Sequence, residues 1–216
     1  MDIRRDFYLE KLIKRKSNGL IKVITGIRRC GKSYLLNNIF YHHLLDSGVE
    51  ADHIIRFAFD SADDLYLIGE RLIQIEKEKR GVDPEKFMAY IRSKTTGEGI
   101  YYLLLDEIQM LDCFEAVLNG YLRKENIDVF VTGSNAKLLS KDIATEFAGR
   151  GDEIHMYPLS FAEFMSVYNG DKYTGLSEYM LYGGIPLVVL RDGAVDKATA
   201  LQNLFNEIYI RDITKR

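Results

Sequence analysis

The sequence predicts a three-layer α/β/α domain, a mostly parallel five-stranded sheet between helices, followed by a small helical region. Three observations predict it. Strand-like runs alternate with helical patterns as far as Tyr157. Two of those runs, Ile100–Leu105 and Ile127–Thr132, are almost wholly apolar, as strands buried on both faces are. After Pro158 the strand patterns stop and only helical periodicity continues.

Taken in order, Phe7–Lys16 places Phe7, Tyr8, Leu9, Leu12 and Ile13 among charges and predicts an amphipathic helix, stopped by Asn18-Gly19. Leu20–Thr25 reads as a strand, Gly26–Lys32 as a loop, and Ser33–Leu45 as a helix closed by Asp46-Ser47-Gly48. His53–Phe59 alternates and is rich in Ile and Phe, a second strand. Leu65–Lys79 and Pro84–Lys94 follow as helices, with Gly81 between them and Asp83-Pro84 opening the second. Ile100–Leu105 is a strand, Cys113–Lys124 a helix and Ile127–Thr132 a strand. Lys137–Phe147 reads as a helix ended by Gly149, and Glu153–Tyr157 as the fifth strand. Helices are then expected over Phe161–Tyr168, Ser177–Tyr182 and Ala194–Asp212.

The chain has 216 residues, 47% of them hydrophobic, enough for one sizeable core or a core with a small appendage. Cys30 and Cys113 make neither a disulfide framework nor a metal-ligand spacing, which favours a reducing compartment. The N-terminal residues show no apolar leader, and no apolar run is long enough to span a bilayer, so a cytoplasmic location without a membrane partner is expected. A net charge of −3 argues against a broad nucleic-acid-binding face. Yet Met1–Ser33 carries ten Lys/Arg against three acids. That segment is either a solvated basic helix or a field that draws phosphate, from nucleotide or nucleic acid. The chain ends at Asp212–Arg216 without a glycine cap, as a fragment of a longer protein does, although basic residues also suit a helix C-terminus.

Gly26-Ile27-Arg28-Arg29-Cys30-Gly31-Lys32-Ser33 matches the phosphate-loop pattern at every fixed position, between a strand and a helix. Its glycines let backbone N–H groups turn inward onto phosphates, and the helix beyond, Ser33–Leu45 with Tyr34 in its first turn, adds its positive end. Lys32 would reach the β/γ-phosphates and Ser33 would offer a hydroxyl to Mg²⁺. Downstream, Ile100–Leu105 runs into Asp106-Glu107, the Walker B arrangement. Strand C-termini are where ligands sit in open α/β sheets. Asp106 would hold Mg²⁺ through its waters, and Glu107 would orient the attacking water. After the next strand, Ser134 or Asn135 either touches the γ-phosphate or the lytic water, or belongs to a plain turn. No N-K-x-D segment follows the loop, which favours ATP over GTP.

With these motifs in order, the chain resembles the AAA+ P-loop NTPases. It is most similar to a prokaryotic branch with G-x-R-R-x-G-K-S/T and L-D-E-I-Q motifs, here Gly26–Ser33 and Leu105–Gln109. Thr132–Ala136, Ala148-Gly149-Arg150, Tyr157–Phe161 and Tyr182–Pro186 extend the likeness. The resemblance implies strand order 5-1-4-3-2, an ATPase core over residues 1–159, and a helical lid with the start of a truncated C-terminal region over 160–216. It implies ATP and ADP as ligands, Mg²⁺ as cofactor, and a further C-terminal domain. Arg150 takes the place of an arginine finger reaching a neighbouring subunit in a homo-oligomer; as a residue reading, it is equally a solvated neighbour of a helix cap. Pro186 takes the place of the G-x-P lid residue of related signalling ATPases, and is equally a proline just beyond a helix stop. Two functions follow: an ATP hydrolase that drives a C-terminal effector, or a slowly hydrolysing nucleotide switch that signals through the lid. The Asp106-Glu107 pair argues against a small-metabolite kinase.

Overall fold

The computed structural model describes residues 3–133 and 149–208. The helix expected at Lys137–Phe147 and the last helix beyond Ile208 lie outside the described residues. The chain divides into two compact units: Asp6–Gly26 with Lys32–Met156, and Met1–Arg5 with Ile27–Gly31 and Tyr157–Arg216.

The first of these is the sheet unit. Strands β1 (Ile21–Gly26), β2 (Ile54–Ala58), β3 (Tyr101–Asp106), β4 (Ile127–Thr132) and β5 (Gly151–Met156) lie in the order β2-β3-β4-β1-β5. Counted from the other edge this is 5-1-4-3-2, the expected order, and every neighbouring pair is parallel. Parallel neighbours need crossovers, which carry helices onto both faces. β1 and β3 are accordingly buried at every residue, whereas the edge strands β2 and β5 are partly open. On one face Val23, Phe57, Leu105 and Val131 pack with Phe59, Phe87 and Ile91. Residues of opposite parity serve the other face, where Phe40 meets Phe130 with ring centroids 4.6 Å apart. Burying each such ring contributes about 1.5–3 kcal/mol.

Helix α1 (Asp6–Arg15) buries Tyr8 and Leu12. The helix after β1 departs from expectation. Lys32–Tyr34, a π-helical stretch Leu35–Phe40, and Tyr41–Asp46 run on as one helix, α2. Such wide turns re-aim side chains and often occur at functional sites. The helix expected over Leu65–Lys79 is two, α3 (Ala62–Leu67) and α4 (Leu72–Glu78). Gly69 at φ 70° turns the chain between them. Glu70 is buried there and accepts Arg80 Nη2 at 2.6 Å and Lys86 Nζ at 2.8 Å. Helix α5 (Pro84–Lys94) starts under the Asp83 cap as expected. Helix α6 (Phe114–Tyr121) begins one residue late because Cys113 is left-handed at φ 52°.

In the helical unit, α7 (Phe161–Met165) opens on a capping box between Ser160 and Glu163. Helix α8 (Lys172–Tyr182) starts well before the expected Ser177, because the Asp171 side chain accepts the N–H groups of Tyr173 and Thr174. Helices α9 (Pro186–Val189) and α10 (Ala194–Ile208) follow. Between α8 and α9, Leu159 N donates to Gly184 O at 2.7 Å. A Cβ on Gly184 would stand 2.1 Å from the Leu159 carbonyl oxygen, so only glycine permits this approach.

Lys22, the second residue of β1, is fully buried. Its Nζ donates to Asp128 and, at 2.8 Å, to Leu20 O, while Asp128 also accepts Ser17 N. Burial pulls the Lys22 pKa down against the opposing pull of Asp128. Breaking such a pair strands a buried charge. Asp128→Asn is therefore expected to cost about 3–5 kcal/mol in urea unfolding, and Lys22→Met with Asp128→Leu to recover most of it.

Candidate active site

β1 ends at Gly26 with φ 142°, and the loop beyond it holds Arg29 at φ 62° and Gly31 at φ 101°. The two fixed glycines therefore occupy positions that other residues rarely adopt. Lys32 is buried, and its Nζ donates to Gly26 O at 3.0 Å. Ser33 Oγ donates to Asp106 Oδ1 at 3.1 Å. Thr132, the last residue of β4, donates its hydroxyl to the same oxygen, and Asn37 Nδ2 lies 3.3 Å from Asp106 Oδ2. Glu107, at φ 53°, donates its backbone N–H to Thr132 Oγ1 at 3.3 Å. Its carboxylate accepts Gln109 Nε2. Gly26, Lys32, Ser33, Asp106 and Glu107 thus gather at the C-terminal ends of the central strands, as the motifs imply.

Burial, and then the charge of Glu107, push the Asp106 pKa up, although Thr132 and Ser33 pull it back. Asp60, just past β2, joins them. Lost solvation, and then the fields of Asp106, Glu107 and Asp64, raise its pKa, even though its side chain keeps an open surface. Asp60 and Asn37 were not picked out from the sequence, whereas Thr132 and Gln109 stood in motifs without being given a role. Thr132 carried a signal as the polar end of an apolar strand, and Gln109 as the last residue of the Leu105–Gln109 motif. The donor set of Ser33 and Asp106 is all oxygen, and crowded carboxylates call for a cation, so the residues fit Mg²⁺.

In the helical unit, Arg5 is buried and donates to Cys30 O at 3.3 Å and Tyr157 O at 2.6 Å, and pairs with Glu163 at 3.1 Å. Arg29 pairs with Glu207 near the end of α10 at 2.7 Å. Nothing in the sequence set Arg5 apart from its neighbour Arg4. Cys30 is buried, whereas Ile27 and Tyr34 are partly exposed. Pro186 stands in the first turn of α9. Arg150 is not gathered with the loop: its carbonyl accepts Ile21 N at the opposite end of β1, and its side chain reaches Asn119 at 3.3 Å. Ser134 and Asn135 lie outside the described residues.

Residues 18–165 match the family described as AAA domain. The chain belongs to this family. It is 37% identical to an uncharacterized protein of Haemophilus influenzae over 99% of its own length and 51% of that protein. It is 31% identical to one of Methanocaldococcus jannaschii over 99% of its length and 45% of that protein. The AAA chain thus spans about half the length of the curated relatives it matches. Among solved structures, the Walker-type ATPase of Pyrococcus abyssi aligns with TM-score 0.61 at 16% identity, covering 99% of this chain and 75% of that one. AMPPCP-bound DnaA of Aquifex aeolicus aligns with TM-score 0.52 at 12% identity, covering 96% and 63%. These likenesses establish the fold, an AAA-type P-loop ATPase domain, and the family implies nucleotide binding. No helix among the described residues is long and apolar enough to cross a membrane.

A carboxylate whose folded pKa is raised is penalised when ionised. The penalty is complete above the folded pKa and absent below the ordinary value, 3.8 for Asp60. Asp60→Asn is therefore expected to raise the thermal midpoint of the Mg²⁺-free protein at neutral pH. The gain should shrink as pH falls through the raised pKa. A lower midpoint at neutral pH would show that Asp60 is held by attraction.

Proposed function

We propose that this AAA domain binds Mg²⁺–ATP at Gly26–Ser33 and hydrolyses it, in the cytoplasm, to drive a C-terminal effector region. One observation carries the reading: Ser33 Oγ and Asp106 Oδ1 meet at 3.1 Å beside the buried Lys32. Those oxygens stand beyond the C-terminal end of β1 and at that of β3, strands separated in the sheet by β4.

In this reading the backbone N–H groups of Ile27, Arg28, Arg29, Cys30 and Gly31 cradle the phosphates, with Tyr34 in the first turn of the helix behind them. Lys32 leaves Gly26 O for the β/γ-phosphate oxygens. Ser33 and Asp106 hold Mg²⁺, which supplies charge neutralisation across those oxygens when bound. Glu107 orients and polarises the attacking water, with Asn135 and Ser134 beside the γ-phosphate. Pro186 carries the lid's contact to the nucleotide. Residues 1–159 act as the ATPase core and 160–216 as the lid and the start of the effector region.

A second reading, a nucleotide switch with slow turnover, draws support from the Arg29–Glu207 pair, which ties a phosphate-loop side chain to the last described helix. A nucleic-acid partner has only the basic N-terminal segment in its favour.

Lys32→Ala is expected to lose most ATP affinity, measured with a fluorescent ATP analogue, whereas Glu107→Gln should keep affinity and lose phosphate release. Unchanged affinity in a folded Lys32→Ala protein would overturn the phosphate-loop assignment. Phosphate release by Glu107→Gln at the wild-type rate would make Glu107 structural, and absence of turnover in the wild type would favour the switch.

Arg150 is proposed to complete the site of a neighbouring copy, since it lies at the far end of β1 from its own loop. A guanidinium stays charged and can fork onto γ-phosphate oxygens. Arg150→Ala should bind ATP normally and hydrolyse about 10³-fold or more slowly, as loss of such fingers does. Mixing it with Glu107→Gln should partly restore phosphate release. Full activity of Arg150→Ala alone would leave the arginine as a surface partner of Asn119.

A further inference from the structure

Two carboxamides flank the Asp106-Glu107 pair. Asn37, in the π-helical stretch of α2, turns Nδ2 toward Asp106 Oδ2 at 3.3 Å. Gln109 sits in the tight turn Ile108–Met110 and donates Nε2 to Glu107 Oε2. A carboxylate accepts only the N–H side of an amide, so chemistry fixes both orientations. That leaves Asn37 Oδ1 and Gln109 Oε1 buried, each without a hydrogen-bond partner among the described residues. Buried acceptors are rarely left so, and those that are call for an explanation.

Both placements come from local irregularities of the backbone. The wide turn of α2 brings Asn37 over the end of β3, and the Asn37 carbonyl is itself held by Arg56 Nη1 at 3.3 Å from β2. The left-handed Glu107 reverses the chain so that Gln109 returns over the residue two before it. Two side chains from separate elements thus share one chemistry: an N–H spent on a carboxylate and a carbonyl oxygen left for a donor. The donor that such a site takes up is water. Ligated Mg²⁺ keeps several waters, and each presents hydrogens outward.

We propose that Asn37 and Gln109 are positioning residues of this site: Asn37 fixes the cation-holding carboxylate of Asp106, Gln109 fixes the water-orienting carboxylate of Glu107, and each buried carbonyl oxygen accepts a hydrogen bond from water arriving with the Mg²⁺–nucleotide. The inference rests on the Mg²⁺–ATP reading above. It divides the labour, because Asn37 acts on the metal and Gln109 on turnover.

Leucine is close to both in size and cannot donate. In the purified chain, Asn37→Leu is expected to weaken Mn²⁺ binding with nucleotide, followed by electron paramagnetic resonance, about 10-fold, the usual effect of losing an outer partner of a metal ligand. Its ADP affinity in EDTA should stay within about two-fold of wild type, since the phosphate loop is untouched. Gln109→Leu is expected to lower kcat about 10–100-fold with KM and Mn²⁺ affinity unchanged. Independently of any variant's folding, the side-chain NH₂ resonances of Asn37 and Gln109 in the wild-type chain should shift when a non-hydrolysable Mg²⁺–ATP analogue is added. Wild-type metal affinity in Asn37→Leu together with wild-type kcat in Gln109→Leu, or NH₂ resonances that do not move at saturation, would overturn the proposal. A wild-type chain that binds no Mn²⁺–nucleotide, or an Asp106→Asn chain that binds it as well as wild type, would overturn the site reading instead.

Discussion

The carboxylate of Asp106 is buried at the end of β3, and a buried charge is tolerable only when it is surrounded by donors. Its donors come from Ser33, Asn37 and Thr132, residues distant from it in sequence. The strand order brings them together. β4 lies between β1 and β3, and all three run parallel, so their C-terminal ends open on one side of the sheet. Thr132 then ends beside Asp106, and the chain leaving β1 returns over both as α2. An antiparallel β4 would carry Thr132 to the far side and strand the charge. Topology and site are therefore one constraint: the fold is the means of keeping this carboxylate buried and bonded.

Among the described residues, left-handed backbone outside glycine falls at Ser17, Arg29, Lys79, Glu107 and Cys113, and two of these, Arg29 and Glu107, sit in the motifs. Left-handed backbone at such residues costs energy and persists where the surroundings hold it. At Glu107 the holding contacts are the Thr132 hydroxyl on its N–H and Gln109 on its carboxylate. Asp60 adds repulsion to strain. A site selected for stability alone would dispense with that third acid.

Much of this was legible in the sequence, for physical reasons that differ by element. Strands buried on both faces announce themselves by continuous apolar runs, so β3 and β4 fell where expected to within a residue. Pro84 after Asp83 fixed the start of α5, because a capping side chain and a preset φ leave little alternative. The break at Gly69 was missed because a lone glycine inside a helical pattern is ambiguous until Glu70 is seen buried between Arg80 and Lys86. The π-helical stretch of α2 was missed because 3.6-residue periodicity barely changes over a single wide turn. At the site, the motifs named Lys32, Ser33, Asp106 and Glu107, since phosphate and cation chemistry demands those groups at that spacing. Asn37 and Asp60 have no such signature, since their roles arise only from proximity, and Gln109 closes the Leu105–Gln109 motif without its spacing naming a role. The helix stop weighed just before Pro186 does occur, at Gly183, but the sequence could not show the second reason for Gly184, the Leu159 carbonyl that a Cβ would strike.

The helical unit brings a different question, how a phosphate loop could report its state. A ligand shifts an equilibrium only by interacting differently with two arrangements. Arg29 offers such a difference in electrostatic terms. Its guanidinium is paired with Glu207, and on the nucleotide-binding reading proposed above a polyphosphate at the loop competes for the same charge. Arg5 supplies the fixed counterpart, since it binds the carbonyls of Cys30 and Tyr157 while paired with Glu163, and no phosphate can take the place of those carbonyl contacts. One arginine thus ties the loop to α7 through backbone carbonyls and Glu163, and on the proposed reading the other exchanges an acid on α10 for a phosphate. An exposed pair of that kind is weak, worth about 0–1 kcal/mol, so on the proposed reading its exchange for a phosphate costs little.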